Sequence, residues 1–181
     1  LGVSPGERFF LVRFVAMVAS HDTGEKGLTD ELKWTILNRL RARGRVFVTG
    51  ESALPESMAE LRFPLPPDRL HDALAFADLV VGDSQTVAAE ASVLGTPSLR
   101  ISSWAGRQAY LTELEQRYGL TYSYKLEQAA AALAHLDRLL AVPNLRTTLS
   151  DRHRQLLLDK TDIAAWYSDF LEAGARVGPG V

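Results

Sequence analysis

Cysteine is absent from this 181-residue chain. That excludes disulfides, thiolate metal sites and a cysteine nucleophile, and fits a reducing compartment, with the cytoplasm as the expected location. No apolar run reaches the roughly 20 residues that a membrane-crossing helix needs, and the opening LGVSPGER lacks the basic and apolar regions of a secretion signal. A soluble protein without a membrane partner is expected. Neither sign of charge dominates: 20 Lys plus Arg against 22 Asp plus Glu leave a formal charge of -2, so nothing calls for a nucleic-acid partner. The patterns GxxxxGK[ST], GxGxxG and HExxH are missing, and His21, His71, His135 and His153 are scattered without ligand spacing. Neither a metal nor a resident cofactor is expected. Self-association into a homo-oligomer is compatible with the sequence. The chain begins at Leu1 in a turn-like G-V-S-P-G-E, which reads as a piece of a longer protein.

What is present is an apolar content of 46%, enough for the core of one domain. FFLVRFVAMV (Phe9 to Val18) predicts a buried strand. After a polar loop, Thr29 can cap a helix with Asp30 and Glu31 in its first turn, Leu32, Ile36 and Leu40 at helical spacing and Gly44 behind it. Arg39, Arg41 and Arg43 near its end compensate the helix dipole. RVFVTGE is a second strand and LRFPLP, with its prolines, an edge or connecting segment. Then follow helix PDRLHDALAFA, strand LVVG, helix SQTVAAEASVL, strand PSLRIS, helix RQAYLTELEQRYG, strand TYSY and an Ala-rich helix from about Glu127 to Leu140. Strands alternating with helices of this length predict an α/β fold, a Rossmann-like parallel sheet with helices on both faces, over residues 1–142. Two further helices, Leu145 to Leu158 and from Thr161 onward, make residues 143–174 a helical appendage that packs on this domain or on a missing N-terminal half. Residues 175–181 read as a tail.

The chemistry concentrates in LVVGDSQTVAAEASVLGTP, Leu79 to Pro97. In an open parallel sheet, ligands bind beyond the carboxyl ends of the strands. With Asp83 or Ser84 as N-cap, the first amides of the following helix and the Ser84 and Thr86 hydroxyls would hold a phosphate. Glu90, one turn beyond Thr86, borders the apolar stripe of Val87, Ala91 and Leu94. There it would accept hydrogen bonds from a diol such as a ribose, or else stand solvated in a good helical position. His21 and Asp22, at the mouth of the first strand, are candidates for catalytic groups at the same sheet edge. His71 opens the helix that leads into LVVG and is a candidate ligand contact. A different class of enzyme competes here: G-D-S after a strand resembles the nucleophile block of GDS-type serine esterases, with Ser84 attacking an ester and Asp151 and His153 completing the site.

VRFVAMVASHD, VFVTGE, LHDALAFADLVVGDSQTVAAEASVLGTPSLR and LEQRYGL together resemble an uncharacterised prokaryotic family (domain of unknown function family 354). That family is similar to UDP-N-acetylglucosamine 2-epimerase and, more distantly, to GT-B glycosyltransferases. The resemblance implies the C-terminal half of a two-domain GT-B-type protein, with a nucleotide sugar, a UDP-sugar above all, bound between the halves. By position it passes diphosphate contacts to Ser84, Gln85 and Thr86, and the ribose contact to Glu90. Gln85 and Thr86 stand where the epimerases have two glycines. The functional His and Arg residues that the epimerases carry after the first strand are matched loosely by Arg13, His21 and Asp22. The implied activity is epimerisation or glycosyl transfer that needs the other half of the protein. A module that kept the fold and only binds nucleotide is the alternative.

Overall fold

The computed structural model describes residues 1–15, 27–50 and 53–176. Five strands, β1 (Phe9–Phe14), β2 (Arg45–Gly50), β3 (Leu79–Gly82), β4 (Ser98–Ile101) and β5 (Thr121–Tyr124), form one sheet in the order β2-β1-β3-β4-β5. Every pairing is parallel. The connections carry α1 (Asp30–Arg41), α2 (Leu70–Phe76), α3 (Gln85–Val93) and α4 (Ala109–Gln116), and α5 (Ala129–Ala141) follows β5. Parallel pairing demands such crossovers, because the chain must return to the same end of the sheet before each new strand. The expected α/β architecture is the observed one. Chain order reverses between β1 and β3: β2 is laid on one side of β1, and every later strand on the other.

The central strands are buried on both faces, which is why FFLVRF and LVVG read as near-continuous apolar runs rather than alternating ones; SLRI alternates in sequence yet is buried at every position. On one face Phe10, Val12, Phe14, Val81, Leu99 and Ile101 pack with Ile36, Leu37 and Leu40 of α1 and Leu136, Leu139 and Leu140 of α5. On the other, Phe9, Leu11, Phe47 and Val80 meet Ala73 and Leu74 of α2 and Val87 and Ala91 of α3. Thr29 caps α1 as expected, its hydroxyl accepting from the Leu32 amide. β1 ends at Phe14 rather than Val18, level with its last partners, Gly50 in β2 and, one residue earlier, Gly82 in β3.

α3 is built from small residues, and its hydroxyls settle it against the sheet. Ser92 donates to the Ala88 carbonyl, Ser98 of β4 donates to the same carbonyl, and the Ser98 and Thr121 hydroxyls pair with each other at 2.7 Å. Thr96 donates to the Leu74 carbonyl at 2.6 Å and ties the end of α2 to the turn after α3. Beyond α5 the helix expected from Leu145 to Leu158 is broken at Leu149 into α6 (Leu145–Thr148) and α7 (Ser150–Asp159), and Leu145, Leu149 and Leu156 reach the core. α8 (Ile163–Arg176) presents Ile163, Trp166, Tyr167, Phe170 and Leu171 to solvent, with Trp166 and Phe170 stacked at 5.3 Å. Among the described residues no helix is long and apolar enough to cross a membrane.

At the β5 edge, His135 of α5 stands between two tyrosines: the Tyr124 hydroxyl is 2.7 Å from its Nδ1, and the Tyr122 ring lies edge-on at 4.4 Å. Burial, assisted by Arg138, lowers the imidazole pKa. A lowered folded-state pKa means that the unfolded chain binds the proton more readily. The stability that neutral His135 contributes is therefore complete above the unfolded value of about 6.5 and is lost as pH falls below it. Urea unfolding at pH 7.5 and 5.5 should show a lower midpoint at pH 5.5, and His135→Phe should flatten that difference.

Candidate functional site

The carboxyl ends of β1 and β3 flank the point where strand order reverses, the place where an open parallel sheet leaves a crevice. Asp83, at the end of β3, is buried and accepts the Val15 amide at 2.8 Å. It therefore fixes the exit of β1, and the cap falls to Ser84. The Ser84 hydroxyl accepts from the Val87 amide at 3.4 Å. That leaves the amides of Gln85 and Thr86, at the first two helical positions, without an intrahelical acceptor. Both point out of the positive end of α3, beside the exposed Thr86 side chain.

The residues singled out from the sequence converge on this helix. Glu90 stands half-buried one turn behind Thr86, and its Oε2 lies 3.3 Å from Nε2 of His71, which projects from the first turn of α2. Arg13 borders the α3 N-terminus from β1, lining a small pocket with Gly82, Ser84 and Arg100. It also lines the 310 Å³ cavity next to it. That cavity is walled by Val48, Leu54, Phe63, Leu65 and Leu70. Its walls come from the end of β2 and from the segment between β2 and α2, which is held to the sheet by the Phe63 amide donating to the Val48 carbonyl at 2.9 Å. Leu70 of the cavity wall adjoins His71 in the chain, which sets the Glu90–His71 pair beside the apolar cavity. His21 and Asp22 lie outside the described residues.

The esterase arrangement is not assembled. His153 bonds the Val93 carbonyl at 2.8 Å and packs on Gly95, at the far end of α3 from Ser84. Nine helical residues separate the two ends by about 13 Å. Ser84 therefore has no imidazole from that segment to take its proton.

One residue of the site escaped the sequence reading. Arg100, 1% exposed, lies in β4 beneath the first turn of α3. Cross-strand register places Thr49, Arg13, Gly82, Arg100 and Ser123 in one row across all five strands at the carboxyl edge. Gly82, in the middle, is obligatory: a Cβ there would collide with the Arg13 carbonyl. Burial pulls the Arg100 guanidinium below its ordinary pKa, against the pull of Tyr110, Glu115 and Asp83. The signal in the sequence was the one charge inside the expected strand PSLRIS.

Because the Ser84 hydroxyl is the side-chain cap of α3, Ser84→Ala should cost about 1 kcal/mol and Ser84→Gly only a few tenths, read from chemical unfolding.

No family model matches the chain, and no curated protein matches its sequence. Solved structures do match its fold. The glycotransferase of kitacinnamycin is 16% identical with a TM-score of 0.59, over 92% of this chain and 43% of that one. CalG4, the calicheamicin glycosyltransferase, is 22% identical with a TM-score of 0.59, over 97% and 44%. The glycosyltransferase VinC in complex with dTDP is 15% identical with a TM-score of 0.52, over 83% and 38%. The chain thus spans less than half the length of these enzymes, and its five-stranded parallel sheet with flanking helices is the α/β fold of a GT-B glycosyltransferase domain.

Proposed function

We propose that this chain is the nucleotide-sugar-binding half of a GT-B-type glycosyltransferase. The carrying observation is the placement of Glu90: a half-buried carboxylate one turn behind the open amides of Gln85 and Thr86, at the switch point of the sheet. A diphosphate on the α3 N-terminus leaves the adjoining ribose opposite Glu90. There the carboxylate accepts from the diol while Oε2 is steadied by His71. The base then extends past Leu70 into the 310 Å³ cavity, whose Leu54, Phe63 and Leu65 walls suit a flat ring.

The side chains of Gln85 and Thr86 suit this arrangement. Thr86 is exposed and adds a hydroxyl donor, while Gln85 is half-buried at the flank of the helix. Transfer is favoured over epimerisation because the fold matches are to glycosyltransferases. A nucleoside diphosphate ligand is consistent with VinC, which was solved with dTDP. In this reading the uridine or thymidine diphosphate sugar is held here, and the acceptor and the groups that move protons come from a second domain.

Calorimetric titration with UDP, dTDP and UDP-N-acetylglucosamine tests the assignment. Glu90→Ala should weaken binding by about 1 to 3 kcal/mol, the cost of losing hydrogen bonds to a charged acceptor. Unchanged affinity in a Glu90→Ala protein of native stability removes the ribose assignment.

A further inference from the structure

Arg100 is the least expected side chain of the molecule. It sits on a central strand with 1% of its surface exposed. Among the described residues its only hydrogen bond runs from Nη2 to Gln108 Oε1, a neutral acceptor, at 3.3 Å. Nε and Nη1 are buried without a partner. Tyr110, Glu115 and Asp83 act on it electrostatically, and Oδ1 of Asp83 accepts from the Val15 amide. An arginine cannot escape burial by losing its proton, so it keeps a charge that the protein meets with one neutral hydrogen bond and with carboxylates acting from further off, Glu115 and Asp83. Such a charge is tolerated where an anion completes it.

Its position says which anion. Arg100 and Ser84 line the same small pocket, about 10 Å³, room for no more than one water, directly behind the open amides of α3. Arg13 borders that pocket from the other side of Gly82. Two strands apart, the two arginines start about 10 Å from each other at the backbone and approach the helix end from opposite flanks. The Ser123 hydroxyl, next to Arg100 in the row, is likewise buried without a partner.

Resting on the nucleotide reading above, we propose that Arg100 is a ligand-binding residue, the buried counter-charge for the diphosphate seated on the N-terminus of α3, and that with Arg13 it makes the site selective for a group carrying at least two negative charges. This accounts for the two missing glycines. Close backbone approach is given up where Gln85 and Thr86 stand, and guanidinium charge beneath the helix takes its place.

The test is calorimetric titration of the full chain with inorganic pyrophosphate, UDP and uridine, for the natural sequence, Arg100→Gln and Arg100→Lys. Arg100→Gln should weaken pyrophosphate and UDP by about 10-fold or more while leaving uridine unchanged, the scale of removing a nearby positive charge screened only in part. Arg100→Lys should recover part of the loss. Native-like affinity for UDP in a folded Arg100→Gln chain overturns the inference and leaves the nucleotide reading standing. Pyrophosphate binding that depends on Arg100, without tighter binding of UDP, keeps the inference and removes the nucleotide reading. Failure of the natural chain to bind either anion removes both. Should Arg100→Gln not fold, the Arg100 Nε–H resonance of the natural chain gives the answer: it should move on adding pyrophosphate, and an unmoved resonance overturns the proposal.

Discussion

The pairing of β1 with β3 is the constraint from which the rest of the molecule follows. It is where the chain changes direction across the sheet, and carboxylates clasp it at both ends. At the entry, Asp78 accepts the Phe9 amide at 3.0 Å and Arg8 Nε at 3.3 Å. At the exit, Asp83 accepts the Val15 amide. These bonds fix two sequence-distant strands in one register, with Arg13 opposite Gly82. Slipping by one residue would exchange the faces of Phe10 and Leu11 and bring Arg13 into the α1 core. Register and site are thus one specification: the clasp that aligns the core also sets the arginine at the crevice.

Close packing of α3 follows from its composition. Alanines and serines let the helix lie low on β4 and β5, and the Ser98, Thr121 and Ser92 hydroxyls satisfy one another and nearby carbonyls in a dry layer. A low helix brings its positive end down to the sheet edge. The same proximity shuts Arg100 away from solvent, so a helix N-terminus at the sheet edge and a buried cation beneath it arise from one packing decision.

Much of this was legible in the sequence. The strands announced themselves because burial on both faces leaves unbroken runs such as FFLVRF and LVVG, and Thr29 marked its helix by cap chemistry. The position of Ser84, Gln85 and Thr86 at a helix N-terminus beyond the sheet could be read from a strand running into a capped helix. The choice between Asp83 and Ser84 as cap could not, since it turns on the Val15 amide, contributed by a strand far away in sequence. The cavity was invisible because Leu54, Phe63 and Leu65 come from irregular chain, where no periodicity reports a shared wall. The Glu90–His71 contact joins two helices whose relative turn only the sheet decides. Arg100 was passed over because one arginine in a short strand resembles an edge residue, until register puts it beside Gly82 in the middle of the sheet.

The His71–Glu90 contact has a consequence for the shape of the free energy of binding. A glutamate on an open helix samples many rotamers, and ordering such a side chain costs up to about 2 kcal/mol. With Oε2 already held by an imidazole from the neighbouring helix, much of that disorder is removed when the chain folds. On the proposed reading, a hydroxyl pair at Oε1 meets an acceptor already in place, preorganised before anything enters the crevice.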